Sequence, residues 1–251
     1  MAAPFSAPRT RFNAPFSRRR NIAYTQLDMR DVKRVKNRFG VTINDVVVSL
    51  CSGVLRRFLL ERGELSDTPL VATVPVSVHD KSDRPGRNQT TWMFCRVESQ
   101  ISDPAERIRT IAAGNTAAKD HTAAIGPTLL HDWSQFGGPL LFGAVMRILP
   151  RIPISHSPAY NLILSNVPGP QTQLYFLGCQ VDTMYPLGPI LGGAGLNITV
   201  MSLNGELGIG IISCPDLLPD LWDIADGFSD ALKELLECSD EQPEGDDPAD
   251  A

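Results

Sequence analysis

Two stretches of this sequence hold residues whose types and spacing could do chemistry. In the first, the apolar run Asn161-Leu162-Ile163-Leu164 gives way to Ser165-Asn166 and is closed by Val167-Pro168-Gly169-Pro170. A hydroxyl at the end of a strand could stabilise an oxyanion, and the same residue types also build ordinary turns. In the second, Pro186-Leu187-Gly188-Pro189 leads into Gly192-Gly193-Ala194-Gly195. A β-favouring run follows those glycines, so they lack the strand–loop–helix setting of a dinucleotide fingerprint. Neither G-x-x-x-x-G-K-[ST] nor G-x-S-x-G occurs anywhere in the chain.

Other candidates have plainer explanations. His79-Asp80 closes a predicted strand and His131-Asp132 falls on a predicted helix. Adjacent residues on a strand point to opposite faces, so they make a poor base and orienting acid. His79, His121, His131 and His156 are too scattered for a metal site, and Cys51, Cys95, Cys179, Cys214 and Cys238 contain no C-x-x-C pair. Asn44-Asp45 sits in the first turn of a predicted helix, where Thr42 and Asp45 have the capping-box spacing. A carboxamide at Asn44 could also hold a neighbouring loop.

The elements around these residues alternate in type. Residues 21–29 read as a strand, and Asp28 caps a helix whose Val32, Val35 and Phe39 share a face until Gly40 stops it. The helix after Thr42 is apolar nearly all round, as a buried helix is. Residues 70–78 and 90–98 are strand-like, with Pro75 a complication in the first. Asp103-Pro104 opens a helix through about residue 119, and a second helical stretch covers about 128–149. Beyond Tyr160 come strands at NLILS, QLYFL and VDTMYPL, then a hairpin about Asn204-Gly205. An amphipathic helix over 216–238 follows. This order predicts an α/β fold, a two-layer sandwich with a mixed sheet and long helices.

Composition bounds the function. The 251 residues are 43% hydrophobic and 20% charged, with a net charge of −5. Six of the 28 acidic residues lie in the tail from Ser239, which leaves the body with 22 acids against 23 bases. A near-neutral body argues against a nucleic-acid footprint. Scattered cysteines suit a reducing compartment, and no apolar run is long enough to span a membrane. The predicted organisation is a Pro/Arg-rich arm over 1–20, a folded domain over 21–238 and an acidic disordered tail over 239–251.

Four stretches carry a resemblance: TINDVVVSLCSGVLRRFL, VATVPVSV with RNQTTWMF, LILSNVPGP, and YPLGPILGGAGLNITVMSLNGELGIGI. In that order they resemble the C-terminal domain of the bacterial wax ester synthase/diacylglycerol acyltransferase family, over about residues 10–237. The resemblance implies one half of the coenzyme A-dependent acyltransferase fold, in which two similar halves flank a channel. It implies acyl transfer from acyl-coenzyme A, as substrate and with no cofactor, to diacylglycerol or a fatty alcohol. The family's base is the second histidine of an HHxxxDG motif in the other half, and this sequence contains no such motif.

What the resemblance implies for single residues is limited. No catalytic residue and no metal ligand is expected here. Asn44 and Asp45 match the family's ND motif, which supports the architecture near the active site. Pro186, Leu187 and Gly188 match its PLG motif, associated with the channel or the packing between halves. Ser165 and Asn166 match its SNVPGP-like stretch and are expected to line the channel or bind substrate. The arm corresponds to an interdomain-linker remnant, and a separate N-terminal half is the expected partner, with no nucleic acid. The chain alone is expected to be inactive, cytoplasmic, and peripheral at the inner membrane or lipid inclusions. The competing expectation is a non-catalytic lipid- or acyl-chain-binding module or scaffold.

Overall fold

The computed structural model describes residues 6–77, 90–125, 158–170 and 172–240. The predicted helix over 128–149, His79-Asp80, His131-Asp132 and the tail beyond Asp240 lie outside them, as does the side chain of His121. In chain order the elements are β1 (Asn21–Asp28), α1 (Met29–Phe39), α2 (Ile43–Leu60), β2 (Val71–Ser77), β3 (Thr90–Arg96) and α3 (Pro104–Ile125). Then come β4 (Leu162–Val167), β5 (Tyr175–Phe176), β6 (Cys179–Gln180), β7 (Leu196–Leu203), β8 (Glu206–Ser213) and α4 (Leu221–Asp240).

Six strands form one mixed sheet in the order β1-β8-β7-β4-β2-β3, while β5 and β6 pair only with each other. Strands β2, β4 and β7 are mutually parallel neighbours, and β1, β8 and β3 join antiparallel. Pro75 is tolerated because β2 meets β4 only at Ala72 and Thr73, so its missing N–H falls beyond that ladder.

Alternation sets the layers. Ala23 and Leu27, Leu207, Ile209 and Ile211, and Leu196, Ile198 and Val200 turn one sheet face into a single core with the helices. Val46, Leu50, Val54 and Phe58 of α2 and Leu221, Ile224, Phe228 and Leu235 of α4 complete it. The predicted two-layer α/β sandwich is the observed architecture. Among the described residues no single helix is long and apolar enough to cross a membrane.

Three expectations shift. The arm is built into the fold, since Ala7 and Phe12 are buried and the Gly195 N–H donates to the Phe12 carbonyl at 2.7 Å. The fully buried Asn161 ties it down, donating to the Pro8 carbonyl at 2.6 Å and to Asn13 Oδ1 at 2.9 Å while accepting from Val71 N. Packing therefore begins near residue 7 and not at the predicted boundary of 21. Second, VDTMYPL forms no ladder: it is an extended strap laid across the face of the sheet away from the helices. Third, α3 runs past residue 119 and α4 begins after Pro219-Asp220, because a proline at 219 has no N–H for an earlier turn.

Candidate functional site

The singled-out residues of the two loop motifs meet on β4 and β7, Ser165 and Asn166 near the end of β4 and Gly188 against the start of β7. Ser165 and Asn166 occupy the last turn of pleat in β4, opposite Thr199 and Val200 of β7. Val200 faces the helix-side core, so Asn166 does too, whereas Ser165 lies on the strap side with Thr199. Sequence reasoning treated the two as equivalent, and the pleat separates them. Gly169 then folds so closely over β7 that a Cβ there would lie 1.6 Å from the Ser202 carbonyl oxygen.

The second motif reaches the same face. Thr199 Oγ1 donates to Asn197 Oδ1 at 2.8 Å, and Asn197 Nδ2 donates to the Pro189 carbonyl at 2.8 Å. Both groups of that amide are thus committed in fixed directions. Ser165, Thr199 and Asn197 form a polar row that runs from SNVPGP to PLGP. Gly188 presses on this row, and a Cβ there would come 2.5 Å from Asn197 Nδ2. Carbonyls of Met184 and Pro186 sit where Cβ atoms of Gly208 and Gly210 would be, at 2.1 and 1.9 Å. The alternate glycines of β8 let the strap lie flat on the sheet. Tyr185 Oη donates to Gln26 Oε1 at 2.8 Å, Asn204 Nδ2 donates to the Val181 carbonyl at 2.8 Å, and the Leu187 side chain stays exposed.

Asn44 and Asp45 lie in the first turn of α2. Arg56, far along α2, donates to the Ser99 and Gln100 carbonyls just beyond β3, beside the start of β2. The N-terminus of α2 therefore points toward the end where β2 and β4 finish. Thr42 Oγ1 accepts from Asp45 N at 3.2 Å, and Asp45 Oδ2 accepts from Thr42 N at 2.9 Å, which is the predicted capping box. The other Asp45 oxygen accepts from Asn115 Nδ2 on α3 at 2.8 Å in a buried contact. Asn44 is half-buried, and its carboxamide has no side-chain hydrogen bond among the described residues. This pair builds the helix layer and lies on the far side of the sheet from the polar row.

Asn197 and Thr199 were not singled out from the sequence. Their signal was the alternation in Leu196-Asn197-Ile198-Thr199-Val200, which puts two polar groups on one face of a strand otherwise bound for the core. Buried Arg107 was missed too. Its Nη1 donates to the Ile101 and Ser102 carbonyls, burial holds its pKa down, and Gly53 makes room for its Nη2. Burial pushes the Cys51 thiol up and the Cys95 thiol up to about 12, so neither is a nucleophile in the folded chain. Among the described residues no group of histidine, cysteine or carboxylate side chains could hold a metal ion.

A mixed sheet layered on one side by helices, with a polar row across its parallel strands β4 and β7 on the other, is the architecture of half a coenzyme A-dependent acyltransferase. This chain belongs to the wax ester synthase/diacylglycerol acyltransferase family: residues 87–236 match the family's C-terminal domain and residues 1–47 match its catalytic domain. A putative diacylglycerol O-acyltransferase of Mycobacterium tuberculosis is 83% identical over 245 residues, which is 98% of this chain and 49% of that protein. A probable diacylglycerol O-acyltransferase of the same species is 35% identical over 94% of this chain and 51% of its own length. The solved wax ester synthase/diacylglycerol acyltransferase from Marinobacter aquaeolei VT8 superposes with a TM-score of 0.74 at 26% identity, over 93% of this chain and 53% of that one. The nonribosomal peptide synthetase FmoA3, at 18% identity and a TM-score of 0.58, shares the fold alone. The chain spans about half the length of the curated relatives it matches.

Proposed function

We propose that this chain is the C-terminal half of an O-acyltransferase that moves a fatty acyl group from acyl-coenzyme A to the hydroxyl of diacylglycerol or a long-chain alcohol. The observation that carries this reading is the polar row Ser165-Thr199-Asn197 on the strap side of the sheet, its buried Asn197 end seated under Gly188 and its half-buried Ser165 at the other end, in a chain of this family. In the reaction, the acceptor oxygen attacks the thioester carbonyl as its proton passes to a base. The tetrahedral intermediate then expels the coenzyme A thiolate, which takes a proton back. The chain contributes a channel wall, with the Ser165 hydroxyl donating to the developing oxyanion and Pro186, Leu187 and Gly188 flanking the acyl path. On the opposite side Asp45, next to Asn44, caps α2 and ties it to α3, and Asn166 faces that layer. The base comes from a complementary half, because HHxxxDG is absent from these 251 residues. Such an enzyme works in the cytoplasm against membrane or lipid-inclusion surfaces, where its acceptors reside.

The purified chain mixed with palmitoyl-coenzyme A and diacylglycerol or hexadecanol should release no coenzyme A thiol. Adding the complementary half of the 83% identical relative should start turnover, and Ser165→Ala should lower kcat by about 10²-fold. Turnover by the chain alone would overturn the division of labour. A stable complex without turnover would overturn the acyltransfer itself. The second reading is a non-catalytic acyl-chain-binding module, which saturable lipid binding without turnover in the complex would identify.

A further inference from the structure

Among the described residues, the exposed apolar surface is concentrated in one stretch of the chain. Of the twelve exposed large hydrophobic side chains among the described residues, eight fall between Val167 and Leu191. Three of them are consecutive, Tyr175, Phe176 and Leu177, with 67, 70 and 89% of their surface exposed. They form the tip of the hairpin β5–β6, which pairs with no strand of the main sheet among the described residues. Isolated surface hydrophobics are ordinary, but contiguous ones mark a contact.

The turn itself adds an independent argument. Phe176 pairs with Cys179, and the two residues between them, Leu177 and Gly178, have φ of +51° and +83°. The chain builds the same geometry a second time between Leu203 and Glu206, where Asn204 and Gly205 have φ of +50° and +82°. Asn-Gly is the pairing that such a turn favours, because asparagine tolerates the left-handed region and is well hydrated. Leucine is disfavoured there on both counts, and among the described residues Leu177 gains no compensating burial. A contact beyond those residues would supply it.

We infer that the β5–β6 hairpin, led by Leu177 and flanked by Phe176 and Tyr175, is the grip by which this chain docks onto the complementary half of the acyltransferase. That occupant is favoured because the relatives run to about twice the matched length, and residues 1–47 already match the catalytic domain whose remainder this chain does not span. The inference rests on the proposed function in one respect, that a complementary half exists. Docking depends on the hairpin tip, while turnover depends on the polar row, so the two can fail separately.

Cys179 provides the readout, since it is exposed and sits opposite Phe176 in the hairpin. The full chain would be co-expressed with the part of the 83% identical Mycobacterium tuberculosis relative that it does not span. A one-to-one complex should form, and maleimide modification of Cys179 should slow at least tenfold in it. Leu177→Asn should keep or raise the melting temperature of the chain alone and weaken the complex at least tenfold. A Tyr175→Ser, Phe176→Ser double variant should weaken it further. Undiminished complex formation by these folded variants overturns the inference. So does protection of Cys179 in the chain alone by self-association, which would make a second copy the occupant. Protection only on phosphatidylcholine–phosphatidylglycerol vesicles would overturn it in favour of a lipid surface. Docking through the hairpin without acyl transfer would uphold it while removing the proposed function.

Discussion

The Asp45 carboxylate bonds the Thr42 backbone with one oxygen and Asn115 with the other, so one side chain ends α2 and joins it to α3. Asp45→Ala removes a helix cap and strands a buried carboxamide, and each loss costs about 1 kcal/mol or more. The expected result is about 2–3 kcal/mol of lost stability in urea unfolding, whereas Asp45→Asn, which can still accept from Asn115, should lose less. Gly210 matters for its lack of a side chain. The Pro186 carbonyl lies 1.9 Å from where a Cβ would be, so Gly210→Ala forces backbone off backbone, at about 1–3 kcal/mol. It should also expose residues 181–189 to limited proteolysis. Gly114→Ala is the matched control: nothing lies within 4 Å on an exposed helical face, and it should stabilise by up to about 1 kcal/mol. Equal effects at Gly210 and Gly114 would refute a tightly seated strap.

Elements that close on themselves were legible in the sequence, and those that depend on remote partners were not. Thr42-x-x-Asp45 and Asn204-Gly205 specify their cap and turn within four residues, and both form as read. VDTMYPL has the composition of a strand, yet its carbonyls rest over Gly208 and Gly210 and never enter a ladder. No local pattern distinguishes those two fates, because the deciding atoms are 24 residues away, Gly208 under Met184 and Gly210 under Pro186. The face of Ser165 likewise becomes definite only when β4 is paired with β7. The arm hides a similar long-range tie in Arg11, whose Nε donates to Glu64 Oε2 at 2.7 Å beyond the end of α2. That side-chain hydrogen bond holds the Glu64 carboxyl below its ordinary range, against a smaller opposing effect of burial. A depressed carboxyl contributes its full stability above the unfolded value and loses it as pH falls through the folded one. The pair is partly solvated, so the contribution is under about 1 kcal/mol. Glu64→Gln should flatten that part of the acid limb of a stability–pH curve below the glutamate range. An unchanged limb would show that the arm is not held electrostatically.

At the scale of the molecule, strands from both edges of the sheet and the four described helices share one contiguous core. Three cysteines sample it at distant points: Cys51 in α2, Cys95 in the edge strand β3, and Cys214 just after β8. A single core implies a single cooperative transition, in which no part of the sheet opens far ahead of the rest. Thiol reactivity can test this, because modification requires the thiolate and solvent together. Burial suppresses the thiolates of Cys51 and Cys95 in the folded state. In the native chain a maleimide should therefore modify Cys179 rapidly and leave Cys51, Cys95 and Cys214 untouched. With rising urea those three should become reactive together, at the midpoint reported by circular dichroism. A lower midpoint for Cys95 would mean that β3 peels away on its own, so that the sheet needs a neighbour at that edge as well as at the hairpin. A common midpoint would instead locate the only unmet demand of the described fold on the apolar strap and hairpin, where the chain keeps surface that water does not favour.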